Sequence, residues 1–215
     1  MQEVCQSMKI LNLYAGLGGN RKFWGNEHDI TAVEYDKVIA AMYQKSYPND
    51  TVIVGDAHQY LLDHHMEFDF IWSSPPCPSH SRTNLGKNYK RRKNGDLAWI
   101  YPDMSLYQEI ILLQYQGRAK YAIENVIPYY LPLIPPTKKI GRHLFWSNFP
   151  LPNLRVGKTN VACAKIPELE STYGINITIP QDEMSDKRAL RNCVDPKIGK
   201  AILEAINEPT LEEYS

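Results

Sequence analysis

The chain has 215 residues, 43% of them hydrophobic, and its 24 lysines and arginines balance 24 aspartates and glutamates. This length and composition predict a globular protein with one sizeable core, and the charge balance excludes the overall basic excess of a non-specific nucleic-acid binder. No apolar run approaches the roughly 20 residues that cross a bilayer, so no membrane-spanning role is expected. The four cysteines form no CxxC pair and the N-terminus lacks the apolar core of a signal peptide, which favours a cytoplasmic protein with reduced thiols.

Short apolar runs alternate with helix-length segments through the first part of the chain. The predicted strands are KILNLY, ITAVEY, TVIV, FDFIW and YAIENV, and the predicted helices are DKVIAAMYQKS, HQYLLDHH and SLYQEIILLQYQ. Strands that alternate with helices imply right-handed crossovers and a Rossmann-like α/β fold with a doubly wound, mostly parallel sheet. Ligands of such sheets bind outside the carboxyl ends of the strands.

The second part of the chain is less regular. VIPYYLPLIPPTKKIG predicts a proline-rich loop with a short helix, and HLFWSNF predicts a further strand. No periodicity is evident from Pro150 to about Gln181, which suggests a small inserted lobe, whereas Asp195 and Pro196 begin a last amphipathic helix. The predicted domains are a core over residues 1–149, a recognition lobe or insertion over 150–182, and a returning C-terminal helix over 183–215.

A glycine turn, LNLYAGLGG, follows the first strand. Gly16, Gly18 and Gly19 permit a sharp turn and a close ligand approach, and the next helix would offer its N-terminus to that ligand. Taken singly, such a turn is as readily a tight connection without a ligand. The second strand, however, ends in Glu34, which can bind ribose hydroxyls, and Asp56 after the third strand can accept from an adenine amino group. Together these residues predict a nucleoside cofactor.

The fourth strand runs into WSSPPCPSH, which places Cys77 between prolines on a stiff turn. A buried structural cysteine is the ordinary interpretation, but the strand-end position favours a nucleophile. A thiolate is suited to add to C6 of a cytosine ring, because C5 is not nucleophilic enough to accept a methyl group without that addition. Glu124 ends the fifth strand, where a carboxylic acid could neutralise the charge that builds up at N3.

A basic segment, SRTNLGKNYKRRKNGD, follows this turn and predicts a mobile active-site loop that binds phosphates, unless it is a solvated charged surface. The spacing of Cys77 and His80 also invites a metal site. A structural zinc site needs four ligands, and the remaining cysteines and histidines lie in unrelated segments, so we expect no metal and interpret His80 as a polar loop residue.

The order of these motifs resembles the DNA cytosine-5 methyltransferases, which use S-adenosylmethionine. LNLYAGLGG, AVEYD, GDAH, SPPC and ENV resemble that family's successive motifs over most of the chain, and GRHLFWSNF and RNCV resemble its last two more weakly. The resemblance implies a seven-stranded class I methyltransferase fold, with S-adenosyl-L-homocysteine as the product of the cofactor. Departures are Asn12 where the family has an acid, Pro78 after the nucleophile, a single arginine beside His143, and a shortened recognition lobe.

The resemblance also implies roles for individual residues. The implied catalytic residues are Cys77, Glu124 and Arg142. The implied cofactor-binding residues are Tyr14, Gly16, Leu17, Gly18, Gly19, Glu34, Tyr35, Asp56, Ala57, Pro76 and Asn192. The implied nucleic-acid-binding residues are Ser79, Arg82, Lys87, Lys90, Arg91, Arg92 and Lys93.

The implied partner is double-stranded DNA, in a prokaryotic or phage-encoded protein of the cytoplasm, with an accessory specificity protein or a homo-oligomer as a further option. Two alternatives stay open at this point. One is methylation of cytosine in transfer RNA, and the other is a non-catalytic module that binds cofactor or DNA and regulates a partner methyltransferase. Because a binding module needs neither Cys77 nor Glu124, the presence of both favours the enzyme.

Overall fold

The computed structural model of the protein describes residues 7–82, 86–87, 89, 93, 101–157, 161 and 163–207. Its seven named strands belong to one sheet. They are β1 (Lys9–Leu13), β2 (Asp29–Glu34), β3 (Thr51–Val54), β4 (Phe70–Ser73), β5 (Lys120–Val126), β6 (Lys138–Ile140) and β7 (His143–Ser147). The named helices are α1 (Lys37–Ser46), α2 (Ala57–His64), α3 (Ser105–Tyr115), α4 (Ile166–Tyr173), α5 (Glu183–Arg191) and α6 (Pro196–Glu204).

The strand order is β3-β2-β1-β4-β5-β7-β6. The pairs β3-β2, β2-β1, β1-β4 and β4-β5 are parallel, whereas β7 runs antiparallel to both β5 and β6. The chain reverses its direction of winding at β1, because β2 and β3 lie on one side of it and β4 and β5 on the other. This topology confirms the predicted seven-stranded, Rossmann-like class I fold, whose ligand crevice lies at the point of reversal.

The sheet is covered on both faces, as a parallel sheet requires. One buried cluster includes Trp24, Phe70, Trp72, Phe145 and Ile202, which joins α6 to one face. A second cluster on the other face joins the sheet to α2 and α3. Nearly all residues of β1 and β4 are buried, so both strands consist mostly of apolar residues. This is why the sequence predicts them as strands.

Three elements differ from the sequence predictions. The helix expected directly after the glycine turn is only a four-residue 3-10 helix, Asn20–Phe23, because the chain turns back at once into β2. The short helix expected in VIPYYLPLIPPTKKIG is absent from the described residues 127–137, and the segment instead ends in β6. Helix α4 lies in the stretch where no periodicity was evident.

Helix α4 packs against α1. Leu169, Tyr173 and Ile175 share a buried cluster with Ile39 and Met42 of α1. The division of the chain into three domains stays a prediction, but the apolar residues of the segment 150–182 contribute to a common core with residues of 1–149. Within the described residues, no helix is long and apolar enough to cross a membrane.

Candidate active site and cofactor pocket

The glycine turn is held against the end of β2 by the carboxylate of Glu34. One oxygen accepts from the backbone N–H of Gly16 at 2.9 Å, and the other accepts from the backbone N–H of Asp36 at 2.9 Å. Gly16 has a φ of +56° that favours glycine, and a Cβ placed on it would make only an ordinary contact of 3.9 Å with the carbonyl oxygen of Tyr14. Leu17, Gly18 and Gly19 are buried behind this turn. The open face of Gly16 is therefore the part of the turn that a ligand can approach.

A cavity of about 370 Å³ opens at this point. Its lining contains three of the predicted cofactor residues, Gly16, Glu34 and Asn192. The residues that the sequence interpretation missed are Asp36, Ile39, Gln181, Ser185, Arg188 and Ala189. Three of the missed residues lie on α5, which begins after an N-cap at Asp182. The cap pattern in QDEMSD could have revealed this helix, but only the fold shows that it covers the cavity.

The predicted adenine side of the pocket consists of residues that follow the ends of β2, β3 and β4. Asp56 caps α2 by accepting from the backbone N–H groups of His58 and Gln59, and both bonds fall on Oδ1. Tyr35 is 80% exposed and Pro76 is exposed, whereas Ala57 is buried in the first turn of α2. None of these residues lines the cavity described above, so their part in cofactor binding stays a prediction.

Tyr14 is fixed by a buried carboxylate. It has a φ of +55°, unusual for a residue with a side chain, and its hydroxyl donates to Glu109 Oε1 at 2.7 Å. Glu109 is fully buried and also accepts from Ser73 Oγ at 2.6 Å, with His58 Nδ1 lying 3.1 Å from Oε1. The hydrogen bond to Glu109 raises the pKa of His58 above its ordinary value. Glu109 thus joins the ends of β1 and β4 to α2 and α3.

The turn that carries Cys77 is anchored to the next strand. Asn125 is buried and donates from Nδ2 to the carbonyl of Pro75 at 3.0 Å. The backbone N–H groups of His80 and Ser81 both donate to the carbonyl of Cys77 at 3.1 Å. Because β4 and β5 are parallel neighbours, with Ser73 in register with Ile123, the sheet brings the Cys77 turn and the end of β5 to one edge.

Glu124 lies in that edge and is 7% exposed. Its Oε2 lies 3.4 Å from Nδ1 of His143, which is 6% exposed. The sequence interpretation treated His143 only as the place of a missing arginine, and its position beside Glu124 follows from the antiparallel pairing of β5 with β7. The two atoms have no hydrogen-bond partner among the described residues.

Arg142 is directed toward the C-terminal segment. Its guanidinium donates to the carbonyl oxygens of Arg191 at 2.6 Å and Cys193 at 3.2 Å. Its charge still acts on Cys77 and lowers the pKa of that thiol. The structure therefore places Arg142 near Cys77 and attaches it to the segment that carries Asn192, while its catalytic role stays a prediction.

The net effect on Cys77 is in the opposite direction. Burial raises the pKa of the thiol above its ordinary value, and the negative charge of Glu124 raises it further, against the smaller effect of Arg142. In the unliganded protein Cys77 is thus a thiol at neutral pH. Removing the negative charge at Glu124 would favour the nucleophilic thiolate.

His80 is a buried residue and not the polar loop histidine that the sequence predicted. It is 1% exposed, and its Nδ1 lies 2.6 Å from the hydroxyl of Tyr130. The backbone N–H of Tyr129 donates to the carbonyl of His80, and Ser81 forms a bridge with Pro128. These contacts attach the segment after β5 to the Cys77 turn. Among the described residues, no cluster of three or more histidine, cysteine, aspartate or glutamate side chains could hold a metal ion.

This segment after β5 lines a second pocket, of about 520 Å³. Its walls are mainly proline, tyrosine and leucine, with one cation at Arg82. The lining residues are Arg82, Ile127, Pro128, Tyr129, Tyr130, Leu131, Pro132 and Leu144. The aromatic and proline residues directly after ENV were the available signal for this surface, and the sequence interpretation passed over it.

The basic segment is described only in part. Arg82, Lys87 and Lys93 have helical backbone conformation, which differs from the predicted loop at these positions. Ser79 Oγ accepts from the backbone N–H of Asp103, so the chain that leads into α3 contacts the Cys77 turn. Lys90, Arg91 and Arg92 lie outside the described residues. The nucleic-acid contacts assigned to all these residues stay predictions.

Residues 8–104, which contain the glycine turn and Cys77, match the model of the family C-5 cytosine-specific DNA methylase. The predicted family resemblance is confirmed. A type II methyltransferase, M.Bsp6I from Bacillus sp. (strain RFL6), is 32% identical to this chain over 93 residues. That match covers 42% of this chain and 29% of M.Bsp6I, so it spans less than a third of the relative.

Solved structures show a weaker likeness. A hypothetical protein from Thermus thermophilus is 13% identical with a TM-score of 0.43, and the match covers 66% of this chain and 74% of that chain. A SAM-dependent methyltransferase from Agrobacterium tumefaciens is 14% identical with a TM-score of 0.40, over 59% of this chain and 41% of that chain. At these values the fold assignment depends on the strand order described above.

Proposed function

We propose that this protein transfers a methyl group from S-adenosylmethionine to C5 of cytosine in double-stranded DNA. The observation that carries the proposal is the common edge of β4 and β5, where the Cys77 turn and Glu124 meet and the bond from Asn125 to Pro75 fixes one to the other. The family match over residues 8–104 and the likeness to M.Bsp6I support the same reaction.

The cavity beside Gly16 fits the cofactor chemically. Glu34 offers carboxylate oxygens that each already accept one backbone N–H and retain a lone pair for a ribose hydroxyl. Arg188, on the α5 side of the cavity, can pair with the carboxylate of the amino-acid part of the cofactor. S-adenosylmethionine supplies an electrophilic methyl group when it is bound. The protein's residues have to bind it, orient it and exclude water.

The remaining steps belong to Cys77 and Glu124. Cys77 gives up its thiol proton to solvent, its thiolate forms a bond to C6 of the base, and the ring electrons move toward N3 and C5. Glu124, in its acid form, gives its proton to N3 and so neutralises the charge on the ring. After C5 has been methylated, the C5 proton leaves to solvent, the proton on N3 returns to Glu124, and the bond from Cys77 to C6 breaks.

The surfaces around Cys77 favour a nucleic acid as substrate. A base must leave the helical stack before a thiol can reach C6. The pocket lined by Tyr129, Tyr130 and Arg82 offers aromatic faces and one cation next to the Cys77 turn, which is chemistry that suits an unstacked base or its sugar. Basic residues along the segment after Cys77 can contact phosphates.

Covalent trapping tests the proposal directly. We expect the protein to form a stable adduct with duplex DNA that carries 5-fluorocytosine, in the presence of S-adenosylmethionine, because the fluorine cannot leave C5 as a proton does. Cys77→Ser should form no adduct, while the matched variant Cys163→Ser, at an exposed cysteine, should react as the wild type does. An adduct with transfer RNA but not with duplex DNA would mean that the substrate is transfer RNA and not DNA. Absence of any adduct would refute it.

A further inference from the structure

Glu124 and His143 form an isolated polar pair inside the candidate active site. In the register of β5 and β7, Glu124 pairs with Phe145 and Val126 pairs with His143, so both polar side chains project from the same face of the two strands. Glu124 Oε2 and His143 Nδ1 are 3.4 Å apart, and both are buried. Since neither atom has a hydrogen-bond partner among the described residues, their 3.4 Å contact is the polar contact that the structure gives to each of them.

The charges that act on this pair are few. Those that act on His143 are Glu124 and Arg142, and the guanidinium of Arg142 is hydrogen-bonded to carbonyl groups of the C-terminal segment. Cys77, on the turn after β4, is affected by the same two residues. Glu124 therefore has a titratable neighbour, His143, in direct contact. The permanent cation near this pair, Arg142, is hydrogen-bonded to the C-terminal segment.

A histidine differs from a permanent cation in this position. An arginine in contact with Glu124 would keep the carboxylate ionised, whereas an imidazole can give up or take a proton. Burial lowers the pKa of His143 below its ordinary value, and Glu124 offsets this only in part. The imidazole is thus mostly neutral at neutral pH and forms no permanent ion pair with Glu124.

We propose that His143 is the positioning residue of Glu124: its ring holds the Glu124 carboxyl group in the orientation in which that group exchanges a proton with N3 of the bound base. This inference rests on the proposed function. When Cys77 adds to C6, the O–H bond of Glu124 breaks and the N3–H bond forms. When Cys77 leaves, the proton returns to Glu124. A protonated Glu124 also loses the negative charge that disfavours ionisation of Cys77, so one proton serves both groups.

Histidine ring NMR of the intact, unliganded protein tests the pair without any activity. We expect the His143 ring to titrate below the ordinary histidine pKa, and to titrate lower still in Glu124→Gln, because the carboxylate that raises its pKa is then gone. His28, which contacts Glu27, provides the matched control and should titrate alike in both proteins. An unchanged His143 titration in Glu124→Gln overturns the coupling.

Single-turnover methylation of DNA tests the catalytic part. His143→Phe, which keeps the ring volume and removes both nitrogens, should slow the methylation step about a hundredfold with DNA affinity unchanged. His143→Asn keeps an N–H near the place of Nδ1 but cannot titrate, so it should recover part of the rate and lose the pH dependence of the pair.

Two results overturn the catalytic part. One is a wild-type rate in His143→Phe, and the other is a wild-type pH profile in His143→Asn. Thermal unfolding of each variant separates these results from misfolding. If the wild-type protein methylates no nucleic acid, the proposed function fails, and the NMR coupling alone decides whether the pair exists.

Discussion

Two buried polar regions of the molecule differ in whether their polar atoms have hydrogen-bond partners. Behind the glycine turn, Arg21 forms two bonds of 2.9 Å to Asp50, and Asp50 also accepts from the hydroxyl of Tyr43 at 2.8 Å. Asn12 continues this network to Tyr43 and Asn20. At the edge where β4 and β5 end, by contrast, buried nitrogen or oxygen atoms of Glu124, His143 and His80 lack a partner among the described residues.

The difference separates structural from functional polar groups. A buried charge pair with all its bonds made holds the strand ends in one arrangement, and losing one member is costly. An unpartnered buried atom costs free energy in the unliganded protein and persists where a ligand or a transferred proton can satisfy it. The unpartnered atoms of Glu124 and His143 lie where the proposed substrate would bind, whereas the network around Asp50 supports the glycine turn from behind.

The largest effect should come from breaking the satisfied network. Asp50→Asn leaves the buried Arg21 without its counter-charge, and we expect the free energy of unfolding to fall by about 3 to 5 kcal/mol. Glu204→Gln breaks the exposed pair with Lys200 and is the control, with an expected change under about 0.5 kcal/mol. Urea unfolding measures both. Equal losses in the two variants would remove the structural role of the network.

Cofactor affinity tests the helix that closes the cavity. Arg188→Gln should weaken S-adenosylhomocysteine about tenfold, which is about 1.4 kcal/mol, because one charge-assisted bond to the carboxylate is lost. Its affinity for methylthioadenosine, which lacks the amino-acid part, should be unchanged. Lys200→Gln lies outside the cavity and should leave both affinities as they are. Calorimetric titration measures the dissociation constants. If Arg188→Gln weakens both ligands equally, Arg188 does not recognise the carboxylate.

A substitution at Glu124 should change the free energy of unfolding in the opposite direction to the substitution at Asp50. Glu124→Gln removes the charge of a buried carboxylate whose Oε2 has no hydrogen-bond partner among the described residues, so we expect the free energy of unfolding to rise by about 1 kcal/mol. The same variant should lose DNA methylation. Urea unfolding at neutral pH gives the stability. A clear destabilisation would mean that Glu124 belongs with the structural polar groups.

The smallest expected effect is on the thiol itself. Glu124→Gln removes one cause of the raised pKa of Cys77, so the thiol should ionise at lower pH and react faster with iodoacetamide at a given pH below that pKa. Burial, the larger cause, is retained. Peptide mass spectrometry follows Cys77 and the exposed Cys163 in one sample, and Cys163 should react alike in both proteins. Equal reactivity of Cys77 in the two proteins would contradict the electrostatic coupling.

Most of the fold could be predicted from the sequence where burial is continuous. β1, β4 and β5 are short apolar runs, a pattern typical of buried strands. α1 and α2 follow N-caps that the sequence also shows, Asp36 and Asp56. β6 escaped prediction because it has only three residues and pairs with a single strand. α4 escaped because its stability depends on Leu169 and Tyr173 packing against a helix far away in the chain.

The sequence by itself determined the strands of the parallel half of the sheet and the local turns that carry Gly16, Glu34 and Cys77, because these depend on neighbouring residues and on the spacing of apolar side chains. Only the tertiary structure decided that His143 faces Glu124, that Arg142 bonds to the C-terminal segment and that Arg188 closes the cavity. Each of these contacts joins residues far apart in the chain. Strand pairing and helix packing fix such distances, and no local pattern encodes them.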